Sequence, residues 1–443
     1  MPLGEWLSCV GSRPRSDDFE QFSQAIDMKW VNQALSAAGT KSIRKRKLPS
    51  NAVVWLVIGM ALFRDRAIPS VLKYLGLGDS GEQPKSDSTG GPVTSGGIVR
   101  ARDRVGPQPL QELFGICAQH WVNELDGTND WRGYSLYGVD GSTLRLPDTG
   151  ELDSYFGRPG TGRAPSAYPQ ARVVAVMALR SRLLSAFAVG PLSEGEQTLA
   201  EPLLQALPPS SLVILDRGFI DYGSFVRIQH GENRHWLCRA KSNLKGRVIQ
   251  PRQGMDEFIE LDINAKRRKE DPTLPDSLKI RVVYYQVRGF QPQRLFTSLL
   301  DPVAYPAAEL ATLYHQRWEL ELGFGEKKTQ LLDRRETIRS KKKDGVLQEL
   351  WGLALAYNLV RVVMARAARH VGVEPYRISF RNSLWVVRDF LVGAAYIEPG
   401  ALPRCYNLMI EEIATLILPE RRERAYPREV KIKMTGYKRK EPK

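Results

Sequence analysis

Ser135-Leu-Tyr-Gly-Val-Asp140-Gly-Ser-Thr-Leu-Arg-Leu146 marks the point where this chain of 443 residues changes its period. Before Ser135, apolar residues recur at helical spacing. From Ser135 they follow the pattern of a strand. Ala171–Arg180 and Leu183–Gly190 read the same way. Glu194–Leu207 returns to helical spacing and stops at Pro208-Pro209. Leu212-Val-Ile-Leu215 is a short apolar run of the kind found in a strand buried on both faces. Asp221–Gln229 reads as a helix and His235–Ala240 as one more strand.

Three meander strands, a helix, a buried strand, a helix and another strand define an α/β fold class. Their order is that of a ribonuclease-H-like core, which takes residues 131–241. An interruption follows at residues 242–294. Gly246–Ile249, Glu257–Leu261 and Ile280–Val287 are strand-like around a charged loop, Ala265 to Asp276, and predict an inserted β subdomain. Leu295–Leu300 returns to the core as a strand, and Ala307 begins a helix, so residues 295–345 complete the core.

Working outward, residues 1–130 are predicted to be helical. Asp17–Ala38 carries Phe19, Phe22, Ile26, Trp30 and Leu35 at helical spacing. A second helix runs to Phe63 with Ser50 as its expected cap. Gly76–Gly97 is rich in Gly, Ser, Pro and Asp and predicts a loop. Ile98–Val122 returns to helix with a break at Gly106-Pro107. Two helices and a turn allow a helix-turn-helix reader of DNA in this block. Residues 346–443 form a C-terminal helical region, with helices at Val346–Arg369, Ser379–Val392 and Glu411–Leu418, and end in a basic tail.

Hydrophobic residues make up 42% of the chain and charged residues 26%, an ordinary balance for a globular protein. The longest apolar run, Val53 to Phe63, falls short of the ~20 residues that span a bilayer, and the start has no signal-peptide order. Cys9, Cys117, Cys238 and Cys405 are far apart, which fits a reducing cytoplasm and speaks against a zinc or disulfide framework. The formal net charge is +15. An excess of that size favours a polyanionic partner, nucleic acid first. The charge is clustered at Ile43–Lys47, at Arg334–Lys343 and in Arg421–Lys443, where ten Lys/Arg face three Glu.

The helix that begins at Ala307 carries Tyr314, Arg317, Glu321 and Lys328 within an arc of about 60° at 100° per residue. Leu313, Phe324 and Leu331 flank that arc on one side and Trp318 and Leu322 on the other. Polar groups pointing where a core should be need strong partners. One reading is a buried ion pair of Arg317 with Glu321. The other is a pocket in which Glu321 holds a metal and its three neighbours hold an anion. Asp140 lies in the first strand and Asp216 ends the buried one. Taken singly, Asp140-Gly141 is also a hairpin signal and Asp216 could cap a helix. In the proposed strand order, however, the first and fourth strands are adjacent, and their carboxylates converge. Glu321 would join them from the helix packed on the sheet. Three carboxylates form a hard-oxygen site suited to Mg2+ or Mn2+. Two such ions, ~3.5–4 Å apart, support in-line attack on a phosphodiester.

These residues resemble a known family. Tyr314-x2-Arg317-x3-Glu321-x6-Lys328 is similar to the Y-R-E-K signature of the bacterial DDE transposases of the "insertion sequence 4" group. Val139-Asp140-Gly-Ser142 and Leu215-Asp216-Arg-Gly-Phe219 resemble that family's two aspartate blocks, and Trp236-Leu-Cys-Arg-Ala-Lys241 the strand closing the second. The resemblance covers about residues 17–435. It implies a ribonuclease-H-like catalytic core with a β insertion, which agrees with the 105-residue gap between Asp216 and Glu321. It implies Asp140, Asp216 and Glu321 as catalytic metal ligands for Mg2+ or Mn2+, two ions in all. It implies DNA contacts by Tyr314, Arg317 and Lys328, and Arg217, Arg239 and Lys241 in the quoted blocks are assigned the same role. Cut-and-paste transposition of an insertion sequence, with cleavage at its terminal inverted repeats, a hairpin intermediate, strand transfer into target DNA and a homodimeric synaptic complex, is the expected activity. Some relatives stack a flipped base on an insertion-domain tryptophan. Residues 241–300 contain no Trp, so Tyr284, Tyr285 and Phe290 are the substitutes to consider, against the competing reading of strand core packing, which is the better one for at least two of the three. Two other readings stand beside this one: a ribonuclease-H-like nuclease that only hydrolyses, and a non-catalytic DNA-binding protein.

Overall fold

The computed structural model describes residues 25–42, 47–77, 93–126, 131–160, 168–241, 246–286, 291–316, 323, 338–394 and 396–420. Nine strands form one sheet: β1 (Ser135–Arg145), β2 (Gln170–Ala178), β3 (Leu184–Gly190), β4 (Ser211–Leu215), β5 (His235–Arg239), β6 (Arg247–Gln253), β7 (Asp256–Asp262), β8 (Ser277–Tyr285) and β9 (Gln293–Thr297). Their spatial order is β3-β2-β1-β4-β5-β9-β8-β7-β6. The first five follow the ribonuclease-H pattern: β1, β2 and β3 are antiparallel neighbours, while β4 and β5 run parallel to β1. All five residues of β4 are buried. This is why its sequence is a continuous apolar run and not an alternation.

Alternation along the other strands assigns side chains to two layers. Leu136, Ala175, Met177, Ile214, Leu237 and Leu295 face one layer. It is filled by α2 (Ser50–Leu62), α5 (Gln108–Leu125), α10 (Ala307–His315) and α11 (Lys343–His370). Tyr137, Val139, Val174, Val213, Leu215 and Trp236 face the other, which is covered by α7 (Glu196–Gln205) and α8 (Tyr222–Gln229). There Phe225 of α8 stacks on Trp236 of β5 at 3.9 Å between centroids.

The central element is α11, 28 residues long and buried over most of its surface. By length and composition it could cross a membrane, but 94% of its apolar window is buried inside the protein. A helix apolar on all sides belongs in a core. It crosses α2 closely: a Cβ on Gly352 would stand 2.7 Å from Val57 Cγ1 and 3.0 Å from the Val57 carbonyl oxygen. Asn358 of α11 donates to the Leu184 carbonyl at 2.8 Å and accepts from the Leu184 N–H at 2.9 Å, which ties the edge strand β3 to the helix. The remaining N-terminal helices are α1 (Met28–Ala37), α3 (Ile68–Tyr74) and α4 (Ser95–Val105). Helices α12 (Phe380–Ala394) and α13 (Leu402–Ala414) close the C-terminal side.

Several local expectations change. Ser50 is the first helical residue and not the cap; it is buried, and its hydroxyl donates to the Thr40 carbonyl at 2.7 Å. The expected loop to Gly97 ends sooner, because Thr94 caps α4 by accepting from Gly97 N at 3.1 Å. The charged stretch after Asn264 contains a short helix, α9 (Ala265–Glu270), capped by Asn264. The last helix lies earlier than Glu411–Leu418, because Pro403 suits a first helical turn. A short helix, α6 (Gly150–Phe156), was not foreseen; it buries Leu152 and Phe156.

The inserted strands do not close a sheet of their own. β9 pairs with β5 on one side and β8 on the other, so β6, β7 and β8 extend the core sheet. Arg281 of β8 locks this junction. It is fully buried, pairs with Asp256 at 2.8 Å and donates to the Tyr305 carbonyl at 2.7 Å. On the α7–α8 face, Arg227 bonds Glu201 and reaches Asp271 of the insertion at 3.0 Å.

Candidate active site

Asp140 sits within β1 and not in a hairpin turn, since the strand continues to Arg145. Its cross-strand neighbour is Ala175, which faces the α11 layer, so Asp140 faces that layer too. On the other side β1 runs parallel to β4 in the register Gly138↔Ile214. Two residues on, the same register sets Asp140 beside Asp216. Asp216 keeps an extended backbone, φ −77° and ψ 159°, so its side chain follows Ile214 onto the same face. Neighbouring strands lie ~4.8 Å apart. Two carboxylates from opposite ends of a 77-residue stretch therefore meet at the end of β4, both half-buried. Asp140 Oδ1 accepts from Gly141 N at 2.9 Å.

The next strand adds a cation. Leu215 pairs with Cys238, which places Arg239 beside Asp216 and on the same face. Arg239 is half-buried. Tyr314 is buried at 6% exposure on α10, which packs over β5 and β8 in that same layer. Arg217 is exposed at the start of the 3-10 turn Arg217–Phe219, and Lys241 is exposed just beyond β5, its carbonyl accepting from Arg294 at 3.2 Å. The structure thus brings Asp140, Asp216, Arg239 and Tyr314 to one face and leaves Arg217 and Lys241 at the rim. Arg317, Glu321 and Lys328 lie outside the described residues. Gly323 is described: a Cβ there would stand 2.6 Å from Met177 Cε and 3.2 Å from Tyr357 Oη. Met177 is the cross-strand neighbour of Gly138, two positions before Asp140.

The turn after Asp216 is held from three sides. Phe219 N donates to the Asp216 carbonyl at 2.9 Å, Cys238 Sγ approaches the same oxygen at 3.6 Å, and Gln197 Nε2 donates to the Gly218 carbonyl at 2.8 Å. Gln197 and its neighbour Glu196, which lies against Gly141, escaped the sequence reading. No spacing links them to the aspartates; only the sheet does.

The structure narrows two sequence readings. Part of the basic run Arg334–Lys343 serves the fold and not an outside anion. Arg339 donates to the carbonyls of Arg66 at 2.9 Å and Met60 at 2.6 Å, Lys342 pairs with Asp103, and Lys343 lies 4.0 Å over the Tyr155 ring. Burial lowers the Arg339 pKa, and the Glu349 charge opposes that shift. As platforms for a base, the insertion tyrosines are already engaged. Tyr284 donates to Glu257 at 2.5 Å with Arg252 4.3 Å over its ring, and Tyr285 packs edge-on against His315. Phe290 lies outside the described residues.

Hard carboxylate oxygens at a sheet end fit a divalent cation such as Mg2+ better than a soft metal. Among the described residues no group of three or more His, Cys, Asp or Glu is placed to hold one, so the site needs a further ligand.

Comparison with known proteins supplies the context. Residues 16–115 match the model of the insertion element 4 transposase N-terminal region, and residues 131–359 match that of the transposase DDE domain. The chain is 34% identical over 414 residues to the transposase InsG for insertion sequence element IS4 of Escherichia coli (strain K12), covering 93% of this chain and 92% of that one. A cryo-EM structure of the piggyBac transposase synaptic complex with hairpin DNA aligns with 93% of this chain and 89% of its own, at 12% identity and a TM-score of 0.41, too loose a likeness to argue from. The domain match over the sheet that pairs Asp140 with Asp216, together with identity along nearly the whole length, establishes that the chain belongs to the insertion element 4 family of DDE transposases.

Proposed function

We propose that this DNA transposase cuts its element free and pastes it elsewhere, using Asp140, Asp216 and Glu321 to hold two Mg2+ or Mn2+ ions. The observation that carries the reading is the β1–β4 register, which sets Asp140 beside Asp216 on one face at the end of a parallel strand pair. Gly323 gives further support. It packs on Met177 of β2, so the chain two residues past Glu321 lies on the face that bears both aspartates. When bound, the ions would activate a water or 3′-hydroxyl and stabilise the leaving oxygen of an in-line displacement. The chain's own cations would position the DNA. Arg239 lies beside Asp216 to meet a phosphate oxygen, Arg217 and Lys241 sit at the rim, and Tyr314, Arg317 and Lys328 would contact the cleaved end. Residues 1–130 would contribute DNA binding, and 346–443 DNA contact and dimerisation. The working form would be a homodimer joining two terminal inverted repeats, in the bacterial cytoplasm at the nucleoid.

The test combines purified protein, Mg2+ and labelled end DNA. Joined products as well as nicks are expected. Nicks alone would move the assignment to a nuclease that only hydrolyses. Asp140→Asn and Asp216→Asn should each lower cleavage by at least ~10^3-fold, about 4 kcal/mol of barrier, while end binding persists. Undiminished cleavage in either variant would take that aspartate out of the catalytic site, and an absence of cleavage by the wild-type protein would leave only a DNA-binding protein.

A further inference from the structure

We infer that Tyr357 and Arg361, a polar pair buried in α11, are positioning residues for DNA cleavage: with Met177 of β2 they form the seat on which the chain is set down at Gly323, two residues after Glu321. The inference rests on the catalytic reading proposed above and adds residues behind it.

Tyr357 and Arg361 are fully buried, one turn apart on the central helix. Arg361 Nε donates to the Tyr357 hydroxyl oxygen at 3.3 Å. Phe380 of α12 packs on both, its ring centroid 5.4 Å from that of Tyr357 and 5.3 Å from the guanidinium carbon. Burial pushes the Tyr357 pKa upward against the opposing charge of Arg182, so the hydroxyl keeps its proton. Its oxygen accepts from Arg361, and its proton is left to donate. Taking a hydroxyl and a guanidinium out of water is costly, and a Phe and a Leu would fill similar volumes without that cost. The pair therefore calls for a role beyond filling the core.

The contact at Gly323 supplies that role. A Cβ on Gly323 would stand 2.6 Å from Met177 Cε, 2.9 Å from Met177 Sδ and 3.2 Å from Tyr357 Oη. The bare backbone of this buried, helical glycine thus rests on a β2 side chain and on the Tyr357 hydroxyl, and a side chain at 323 would lift it off. Met177 is the cross-strand partner of Gly138, two residues before Asp140. Met177 and Ala175, the partner of Asp140, both face the α11 layer. Contacts therefore run without a gap from Arg361 through Tyr357, Gly323 and Met177 to the strand that bears Asp140. They set the height of the chain above the sheet within two residues of Glu321. A misplacement of about 1 Å at a reacting group costs about 10^2-fold in rate, which is what such a seat guards against. The rival role is packing alone, which would stabilise α11 and leave the rate of the folded protein untouched.

The experiment uses the full chain, in excess over labelled end DNA with Mg2+ and well below the melting temperature. The single-turnover cleavage rate is then read separately from end affinity, which fluorescence anisotropy measures. Tyr357→Phe removes one oxygen and keeps the ring. It should slow cleavage about ten- to hundred-fold with end affinity unchanged. Gly323→Ala should slow it on the same scale, although alanine is the better helix former. Adding Met177→Val to Gly323→Ala shortens the opposing side chain and should restore most of the rate, a coupling that packing alone would not give. Asn358→Ala is the control. It breaks the tie from the same helix turn to β3, and should lower the melting temperature without slowing cleavage. A wild-type rate in Tyr357→Phe, or equal slowing in Asn358→Ala, would reduce the pair to packing and overturn the inference. A wild-type rate in Gly323→Ala would remove the seat. Wild-type cleavage in Asp140→Asn would overturn the catalytic reading itself, and the role of Tyr357 with it.

Discussion

Arg239 shows what a single residue contributes by position. In sequence it is one arginine among many. In the fold it stands on the strand next to Asp216, half-buried and on the aspartates' face. Arg239→Ala should weaken end binding and make the logarithmic salt slope shallower by about 0.9, the value for one neutralised phosphate. Fluorescence anisotropy across a salt series measures this, and an unchanged slope would take Arg239 off the DNA. Arg281 is the opposite case, a fully buried guanidinium with no access to a ligand. Arg281→Leu would strand the Asp256 carboxylate and the Tyr305 carbonyl, which share that guanidinium. Breaking such a pair from one side costs about 3–5 kcal/mol. Denaturant unfolding should show a loss of that order, with the insertion strands losing hydrogen-exchange protection first.

Among the elements, the crossing of α2 and α11 and the brace around α7 and α8 set how rigidly the sheet is held. Gly352 lets the two helices approach until Val57 nearly fills its Cβ position, part of the contact being backbone. Gly352→Ala should therefore cost roughly 1–3 kcal/mol by overpacking, despite alanine's better helix propensity. A melting curve that rose would contradict that close crossing. In the brace, burial pushes the Glu201 carboxyl pKa upward, but hydrogen bonds from Arg227, Ser224 and Gln205 outweigh it and hold the value below the usual range. A depressed value stabilises the fold above the ordinary carboxylate pKa and loses that contribution as pH falls through the folded-state value. Glu201→Gln should thus cost roughly 1 kcal/mol at neutral pH, discounted for its partial exposure. The gap to wild type should close in acid, as read by unfolding at pH 7 and at pH 3.

At the scale of the whole molecule the net charge of +15 is unevenly used. Arg281, Arg339, Lys342 and Lys343 are spent on internal partners. Arg421–Lys443 holds ten Lys/Arg against three Glu in a segment outside the described residues. Its deletion should lower DNA affinity most at low salt and flatten the salt slope by about 0.9 for each phosphate released. Equal slopes with and without residues 421–443 would show that the tail does not bind the backbone.

The sequence alone was enough for the succession of strands and helices in the core, because apolar periods and runs are local signals. β4 reads as an all-apolar run because both its faces are covered, and Asp216 stands out as the first polar residue after it. The Y-R-E-K spacing reads as a helical period on the same local ground, but of its four residues only Tyr314 lies among the described ones. Tertiary structure alone decided the rest. The β1–β4 register put Asp140 beside Asp216, β9 joined the insertion to the core sheet, Arg339 turned inward, and α7 carried Glu196 onto Gly141. Each of these depends on contacts between segments tens to hundreds of residues apart, where neither period nor propensity carries information and only the packing of the sheet's two faces does.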